Sequence, residues 1–260
     1  MKKFDKLIEI VARLRKECPW DREQNFKTLK PFLVEEVYEA IQAIDDEDND
    51  RLAEELGDML LHVVMLGVMI KEDSKHSLPT IVEGITKKMV HRHPHVFGNK
   101  KAKTAEDVLA RWEQAKQTEV KQKAKKHKGI MESIPCSLPA LYRAEKVQKR
   151  AARVGFDWDK VAGAWEKVGE EMDEIKSEIP KSNDEIITKA KLSKLKEEIG
   201  DLLFAVVNVA RKLDIRAEEA LQDASSKFMR RFSKIEKKIT KKKMSPKQMD
   251  ELWDRVKAEE

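Results

Sequence analysis

Six carboxylates stand in two short runs, Glu35, Glu36 and Glu39, then Glu54, Glu55 and Asp58. If both runs are helical, residues three or four apart share a face, so Glu36 points with Glu39 and Glu55 with Asp58. Packing the two helices antiparallel across the short Asp45 to Asp50 turn gathers these acids into one patch. Such a patch does not stay ionised unaided, because like charges repel or force protonation. An oxygen-only donor set of this density suits Mg²⁺ or Mn²⁺, and the lack of Cys and His within the motif argues against zinc.

The same pattern returns later as Glu170-Glu171-Met172-Asp173-Glu174 and Glu197-Glu198-Ile199-Gly200-Asp201. Here cations stand close by. Lys167 precedes Glu171 by four residues and Lys194 precedes Glu198 by four, while Lys227, Arg230 and Arg231 follow on a later helix. A divalent metal ringed by carboxylates, with Lys and Arg beside it, can bind a polyphosphate, activate water and neutralise charge on leaving oxygens. An isolated Glu-x-x-Glu on a helix is usually a solvated face. Both pairs here lead within a turn into an apolar segment, Met59 to Ile70 or Leu202 to Val209, where exposure is hard to maintain.

The elements that carry these acids read as helices nearly throughout. Charged residues make up 39% of the 260-residue chain and aromatic residues 6%, and with Gly 9 and Pro 8 there are too few turn signals for many strands. Pro31 suits a first helical turn, Phe32, Leu33, Val37, Ala40, Ile41 and Ile44 recur at helical spacing, and Asp48-Asn49-Asp50 supplies a turn and N-cap. Gly57 and Gly200 sit inside helices, which close approach of a neighbouring helix would explain. The apolar segments after Asp58 and Asp201 are expected deep in a bundle.

Further landmarks keep the same order in both halves. Trp20-Asp21 matches Trp158-Asp159, Lys88 and Arg92 match Lys227 and Arg231, and Trp112 with Lys116 matches Trp253 with Lys257. The chain therefore reads as all-α, a tandem duplication of helical bundle domains. The expected division is an N-terminal domain over 1–120, a basic linker and connecting helix over 121–150, and a C-terminal domain over 151–260. The second copy carries extra loop residues around Pro180, Ser182 and Asn183.

Several function classes recede. The net charge of +5 is small beside 53 basic and 48 acidic side chains, and the Lys-rich runs 121–128 and 237–243 lack interleaved aromatic residues, so nucleic acid is not an expected partner. The apolar stretch from Met59 to Ile70 is short of the roughly 20 residues of a membrane span. No signal peptide is visible, and Cys18 and Cys136 fit free thiols in a reducing, cytoplasmic setting. His91, His93 and His95 would need an extended segment to converge on a metal, and a helix end packed on the core is simpler. His62 reads as a satisfied core histidine.

With Cys18-Pro19-Trp20-Asp21, the paired Glu-Glu-x-x-Glu and Glu-Glu-x-Gly-Asp motifs, Arg92-His93-Pro94-His95-Val96-Phe97, Arg111-Trp112-Glu113, Val154-Gly155-Phe156-Asp157-Trp158 and Lys227-Phe228-Met229-Arg230-Arg231-Phe232, the chain resembles the MazG family of nucleoside triphosphate pyrophosphohydrolases in its tandem form. The resemblance spans nearly the whole chain. It implies an α-helical homodimer that hydrolyses NTPs and dNTPs to monophosphate and pyrophosphate with Mg²⁺. Its metal ligands would be Glu171, Glu174, Glu198 and Asp201, with Lys167, Lys194, Lys227, Arg230, Arg231 and Trp253 near the nucleotide, and Lys116 in the matching place of the first copy. The inferred reaction is in-line attack of water on the α-phosphorus, with Glu170 or Glu197 orienting or deprotonating the water.

The copies are not equivalent. Phe32 stands where the second copy has Lys167, and Arg51 where it has Lys194, so the first copy has one cation fewer beside a second candidate metal set, Glu36, Glu39, Glu55 and Asp58. Chemistry is therefore expected in the second copy. Competing readings are a non-catalytic nucleotide-binding or protein-binding scaffold and a hydrolase cutting another phosphate bond.

Overall fold

A computed structural model describes residues 2–99, 129–180, 187–241 and 244–259, with positions 102, 104, 107, 108 and 112 between. Lys116, the 121–128 run and residues 181–186 lie outside the described residues. The chain forms two compact units, 1–122 and 123–260. No strand occurs among the described residues, as the composition requires.

The first unit contains α1 (Lys2–Glu17), α2 (Pro19–Glu23), α3 (Lys30–Asp45), α4 (Asn49–Asp73), α5 (Leu78–Arg92) and α6 (Pro94–Phe97). Helices α3 and α4 form the expected antiparallel hairpin. Pro31 lies in the first turn of α3, and the Asp48 side chain caps α4 by accepting from the Arg51 N–H at 3.0 Å. Glu47 takes a left-handed φ of 55° to close the turn. Helix α1 lies on α4, and Val11, Leu29, Val64, Met65, Met69 and Leu78 form one core. Arg15 pins the α1–α2 corner by donating to the Asp21 and Gln24 carbonyls at 2.6 and 2.9 Å.

The second unit contains α7 (Ala140–Ala152), α8 (Val161–Glu178), α9 (Lys189–Lys212), α10 (Ala217–Lys241) and α11 (Pro246–Ala258). Helices α8 and α9 make the equivalent hairpin, α7 lies on α9, and α11 packs on α10. Thr188 caps α9 by accepting from the Lys191 N–H. The core of this hairpin is slighter than its counterpart, consisting of Ala164, Val168, Ala205 and Val209 with Val161 and Leu202 against it.

Two expectations about the apolar segments need correction. Val64, Met65 and Met69 are buried, but Leu60 and Val63 are exposed, as are Leu203, Phe204 and Val206 in the second copy. Among the described residues, each segment is covered chiefly on one side, by the helices packed on one flank of its hairpin. Gly57 and Gly200 likewise face open space, with no atom within 4 Å of where a Cβ would stand. The His93–His95 segment is helical rather than extended: His93 ends α5 and accompanies Pro94 into α6.

The turn before α8 is tied to α9 through Asp157, which pairs with Arg211 at 2.6 Å and Lys212 at 3.5 Å. Burial alone would raise the Asp157 carboxyl, but the Arg211 hydrogen bond and the two positive charges outweigh it and hold the group below its ordinary 3.8. A depressed acid stabilises the fold above its ordinary value, and that contribution is lost as pH falls through the depressed one. Asp157→Asn is therefore expected to cost about 2 kcal/mol at pH 7, below the roughly 3–5 kcal/mol of a fully buried pair because part of the carboxylate meets water. Denaturant melts should show that difference shrinking below about pH 4.

Candidate metal centres

Each hairpin gathers its acids where the two helices face each other. In the second unit, oxygens of Glu171, Glu198 and Asp201 lie within 4.8 Å of one another. Glu171 and Glu198 are buried, each at the point where its helix turns toward the core. Glu174 joins them by a hydrogen bond with Glu198. That bond, burial and the charges of Glu174 and Glu171 raise the Glu198 carboxyl above its usual range, against the opposing charge of Lys194. Keeping both facing carboxyls ionised is therefore disfavoured, and a bound cation would relieve that cost.

The Lys167 ammonium is 2.8 Å from Glu171 and 3.0 Å from Glu170, and these two bonds raise its proton affinity well above that of a free lysine. Lys194 takes a different partner from the one its spacing suggests. It meets Glu178 across the hairpin at 2.5 Å, while still acting on Glu198 through its charge. Glu197 and Glu170 are exposed, and Glu170 is held by Lys167.

Lys227, Arg230 and Arg231 lie on α10 and Trp253 on α11. The Trp253 ring sits 5.0 Å from Phe228, itself stacked on Phe232 at 5.9 Å, so an aromatic cluster joins α10 to α11. The strongest charges acting on Glu198 are those of Glu174, Lys194 and Glu171. The structure thus unites Glu171, Glu174, Glu198, Asp201, Lys167 and Lys194.

In the first unit the converging set is Glu36, Glu39 and Glu55. Glu55 raises the Glu39 carboxyl, with burial, Glu36 and Glu35 adding to the effect and Arg51 opposing it. Arg51 lies 3.5 Å from Glu55 and 3.7 Å from Asp46. Beside Phe32, which stands where the second copy has Lys167, His62 places its Nε2 3.5 Å from Glu36 while its ring stacks on Phe32. His62, expected in the core, is only partly buried and borders the site instead. Its position one turn after Asp58, on the face of the acids, is the signal that marks it.

Among the described residues, the groups spaced for a metal are these two carboxylate sets, and no histidine belongs to either. His93 Nδ1 lies 2.7 Å from the Met89 carbonyl, and Arg92 lies over the Trp112 ring. The donor chemistry fits a hard divalent cation: oxygen ligands only, crowded where a cation would neutralise the facing carboxyls.

The model of the MazG nucleotide pyrophosphohydrolase domain matches twice, at residues 24–97 and 161–235, each match enclosing one carboxylate set. The chain is 44% identical to the nucleoside triphosphate pyrophosphohydrolase of Escherichia coli K12, over 100% of this chain and 99% of that protein. It is 37% identical to the Thermotoga maritima nucleoside triphosphate pyrophosphohydrolase/pyrophosphatase MazG over 98% and 95% of the two chains. A third similar protein, Bacillus subtilis uncharacterized protein YabN, is 43% identical over 99% of this chain and 52% of its own length.

The raised carboxyls set the pH dependence of cation binding. A folded-state value above the ordinary 4.5 means that the folded protein holds protons which the unfolded chain releases, so metal-free stability falls as pH rises through that window. A cation replaces those protons. Mg²⁺ at a hundredfold excess over its dissociation constant should raise Tm at pH 8 by roughly 5 °C or more relative to EDTA, and by less at pH 5. Equal Tm with and without Mg²⁺ at both pH values would remove the clusters as cation sites.

Proposed function

Because the chain belongs to the MazG nucleotide pyrophosphohydrolase family, we propose that it hydrolyses NTPs and dNTPs to nucleoside monophosphate and pyrophosphate with Mg²⁺, using the α8–α9 hairpin. The observation that carries this reading is the convergence of Glu171, Glu198 and Asp201 within 4.8 Å, with Lys167 bound at the edge. Mg²⁺ bound there would polarise phosphate oxygens and lower the pKa of a coordinated water. Glu171, Glu174, Glu198 and Asp201 would hold it. Lys167, already drawn to the acids, supplies positive charge where a triphosphate must approach, and Lys194 adds to the local field. Glu170, bound to Lys167, or the exposed Glu197 would orient or deprotonate the attacking water.

Support for placing turnover in the second copy comes from its cations. Phe32 and His62 offer the first copy one imidazole where the second has the Lys167 ammonium, so triphosphate charge is less compensated there. The first cluster is read as a cation site with a structural or auxiliary role. A cytoplasmic location accords with the free thiols Cys18 and Cys136. No helix among the described residues is long and apolar enough to cross a membrane.

The reading includes a homodimer. Trp165 and Met172 on α8, and Ile199, Leu203 and Val206 on α9, form apolar stripes at helical spacing that the unit leaves exposed. Val37, Tyr38, Ile41, Leu56, Leu60 and Val63 repeat this on the first hairpin. Contiguous apolar faces of this kind are unfavourable in water and suit a partner helix pair. Gly57 and Gly200, open in the single chain, lie on the exposed side where a second backbone can come close.

A panel of NTPs and dNTPs with Mg²⁺, scored for monophosphate and pyrophosphate, tests the activity. Glu171→Gln is expected to lower kcat by about 100-fold or more, as loss of a metal-holding carboxylate does, and Glu36→Gln by less than about threefold. The reverse ranking would overturn the assignment to the second copy, and orthophosphate as the product would overturn the reaction class. Sedimentation should give twice the mass of one chain, with Leu203→Lys shifting the protein toward monomer by placing charge in the buried stripe.

A further inference from the structure

In the second unit a cavity of about 420 Å³ opens between α7, α8 and α9 beneath the Phe156–Trp158 turn and reaches Lys167, Glu171 and Asp201 at one end. It exists because Ala164, Lys167 and Asn208 stand in register where the first copy has Leu29, Phe32 and Met65, which fill or flank that copy's core. Helix α7 is fastened to α9 by Gln148, whose Nε2 donates to the Phe204 carbonyl at 2.7 Å while its Oε1 is buried without a hydrogen-bond partner. Among the described residues that line the cavity, one belongs to none of these elements. Met131 comes from the stretch 129–139 that leads into α7, and it lines the cavity together with Val147 and Ala151 of that helix.

This stretch is tied down on both sides of Met131. Arg150, on α7, donates to the Ile130 carbonyl and, at 2.8 Å, to the Ser133 hydroxyl. Such charge-assisted bonds are stronger than neutral ones. The Ile134 N–H donates to the Met131 carbonyl at 3.0 Å, and the Ile134 side chain is buried. Ile134 thus anchors the turn, and Met131 is left to face the cavity. Met131 is 37% exposed and Phe156, which lines the same cavity, 79% exposed. Apolar side chains held in water at the rim of a cavity gain burial when the space is filled. A thioether suits that place, being flexible, polarisable and favourable against flat rings.

We propose that the stretch entering the second unit from the first copy is the outer wall of the second copy's substrate site: Met131 sets how tightly the nucleotide is held, and Arg150, which does not line the cavity, is a positioning residue that acts through Met131. The proposal rests on the pyrophosphohydrolase reading, since it takes the Lys167 end as the phosphate end. The chain between the copies then contributes to binding as well as joining two hairpins, as a loop held on a rigid helical scaffold can.

The test uses the full chain with Met131→Ala, Arg150→Ala and the two combined, and with Arg150→Lys as the conservative variant. Calorimetry with Mg²⁺ and adenosine 5′-(α,β-methylene)triphosphate, which cannot lose pyrophosphate, gives binding; KM and kcat for ATP and hydrogen exchange over 129–139 are measured beside it. Met131→Ala should weaken binding and raise KM by about fivefold, more than it lowers kcat, because a contact made already in the ground state is lost. Arg150→Ala should weaken binding by about threefold and speed exchange at the Ile134 amide, with Arg150→Lys between it and the parent. In the Met131→Ala background Arg150→Ala should add almost nothing, since the two act as one unit. An equal loss from Arg150→Ala in both backgrounds overturns the positioning role, and a Met131→Ala effect on binding and KM below about twofold overturns the wall. Should Arg150→Ala fail to fold, Arg150→Lys takes its place in the cycle. A parent that binds the analogue without releasing pyrophosphate from ATP sinks the functional reading alone, provided Met131→Ala still weakens binding; release by the parent with Met131→Ala unaltered sinks the wall alone; a parent that does neither sinks both.

Discussion

Everything in this protein is arranged around the cost of holding carboxylates together at the mouth of a helix hairpin. Glu171 and Glu198 are buried within 4.8 Å of each other, and Glu36, Glu39 and Glu55 are similarly crowded. Like charges in that geometry must be relieved by protons, by cations on the protein or by a bound metal. The protein supplies the relief only in part. Lys167 binds Glu171, Arg51 and His62 reach the first set, and the raised Glu198 and Glu39 carboxyls show where charge remains uncompensated. A cation would complete the balance, and the proposed pyrophosphohydrolase reading draws on what such a cation and its neighbouring lysine could do to a triphosphate.

Duplication makes the division of labour visible, because scaffold and chemistry can be compared position by position. Both hairpins keep the acids, the capped second helix and the glycine within it. They diverge below the acids, where the first copy packs Leu29, Phe32 and Met65 into a core and the second substitutes smaller or polar groups. A filled core favours stability; a cavity forfeits the contacts its walls would otherwise make. The same split governs the cations, with an aromatic ring in one copy where the other has an ammonium.

Helical periodicity made much of this legible in the sequence. Three-to-four spacing predicts the shared faces of Glu36 with Glu39 and of Glu55 with Asp58, and Pro31 and Asp48 announce the helix starts that the structure shows. Periodicity is a local property, so it is silent on how many neighbours a helix acquires. That is why the segments after Asp58 and Asp201 read as wholly buried yet keep one open side, and why Gly57 and Gly200 meet no helix within their own unit. Contacts across a hairpin were also hidden. Lys194 was one turn from Glu198 in sequence, but antiparallel packing puts Glu178 closer, and Trp253 rests on Phe228 from the preceding helix. Gln148 gave no signal at all, since one glutamine in a charged amphipathic helix is unremarkable until its surroundings are known.

The second unit accumulates the features that weaken a fold: crowded acids, small alanines in the core, an unmatched acceptor and a turn that relies on Asp157 to reach Arg211 and Lys212. Of these the first hairpin shares the crowded acids, but there they accompany a larger apolar core. On the proposed reading, a site that binds a cation and an anionic ligand would keep its groups unmatched until those ligands arrive, so that binding energy would substitute for packing energy there. The first copy, released from part of that demand, has its interior filled with side chains instead. Stability and chemistry are thus opposed within one motif, and the duplicated chain distributes them between two hairpins.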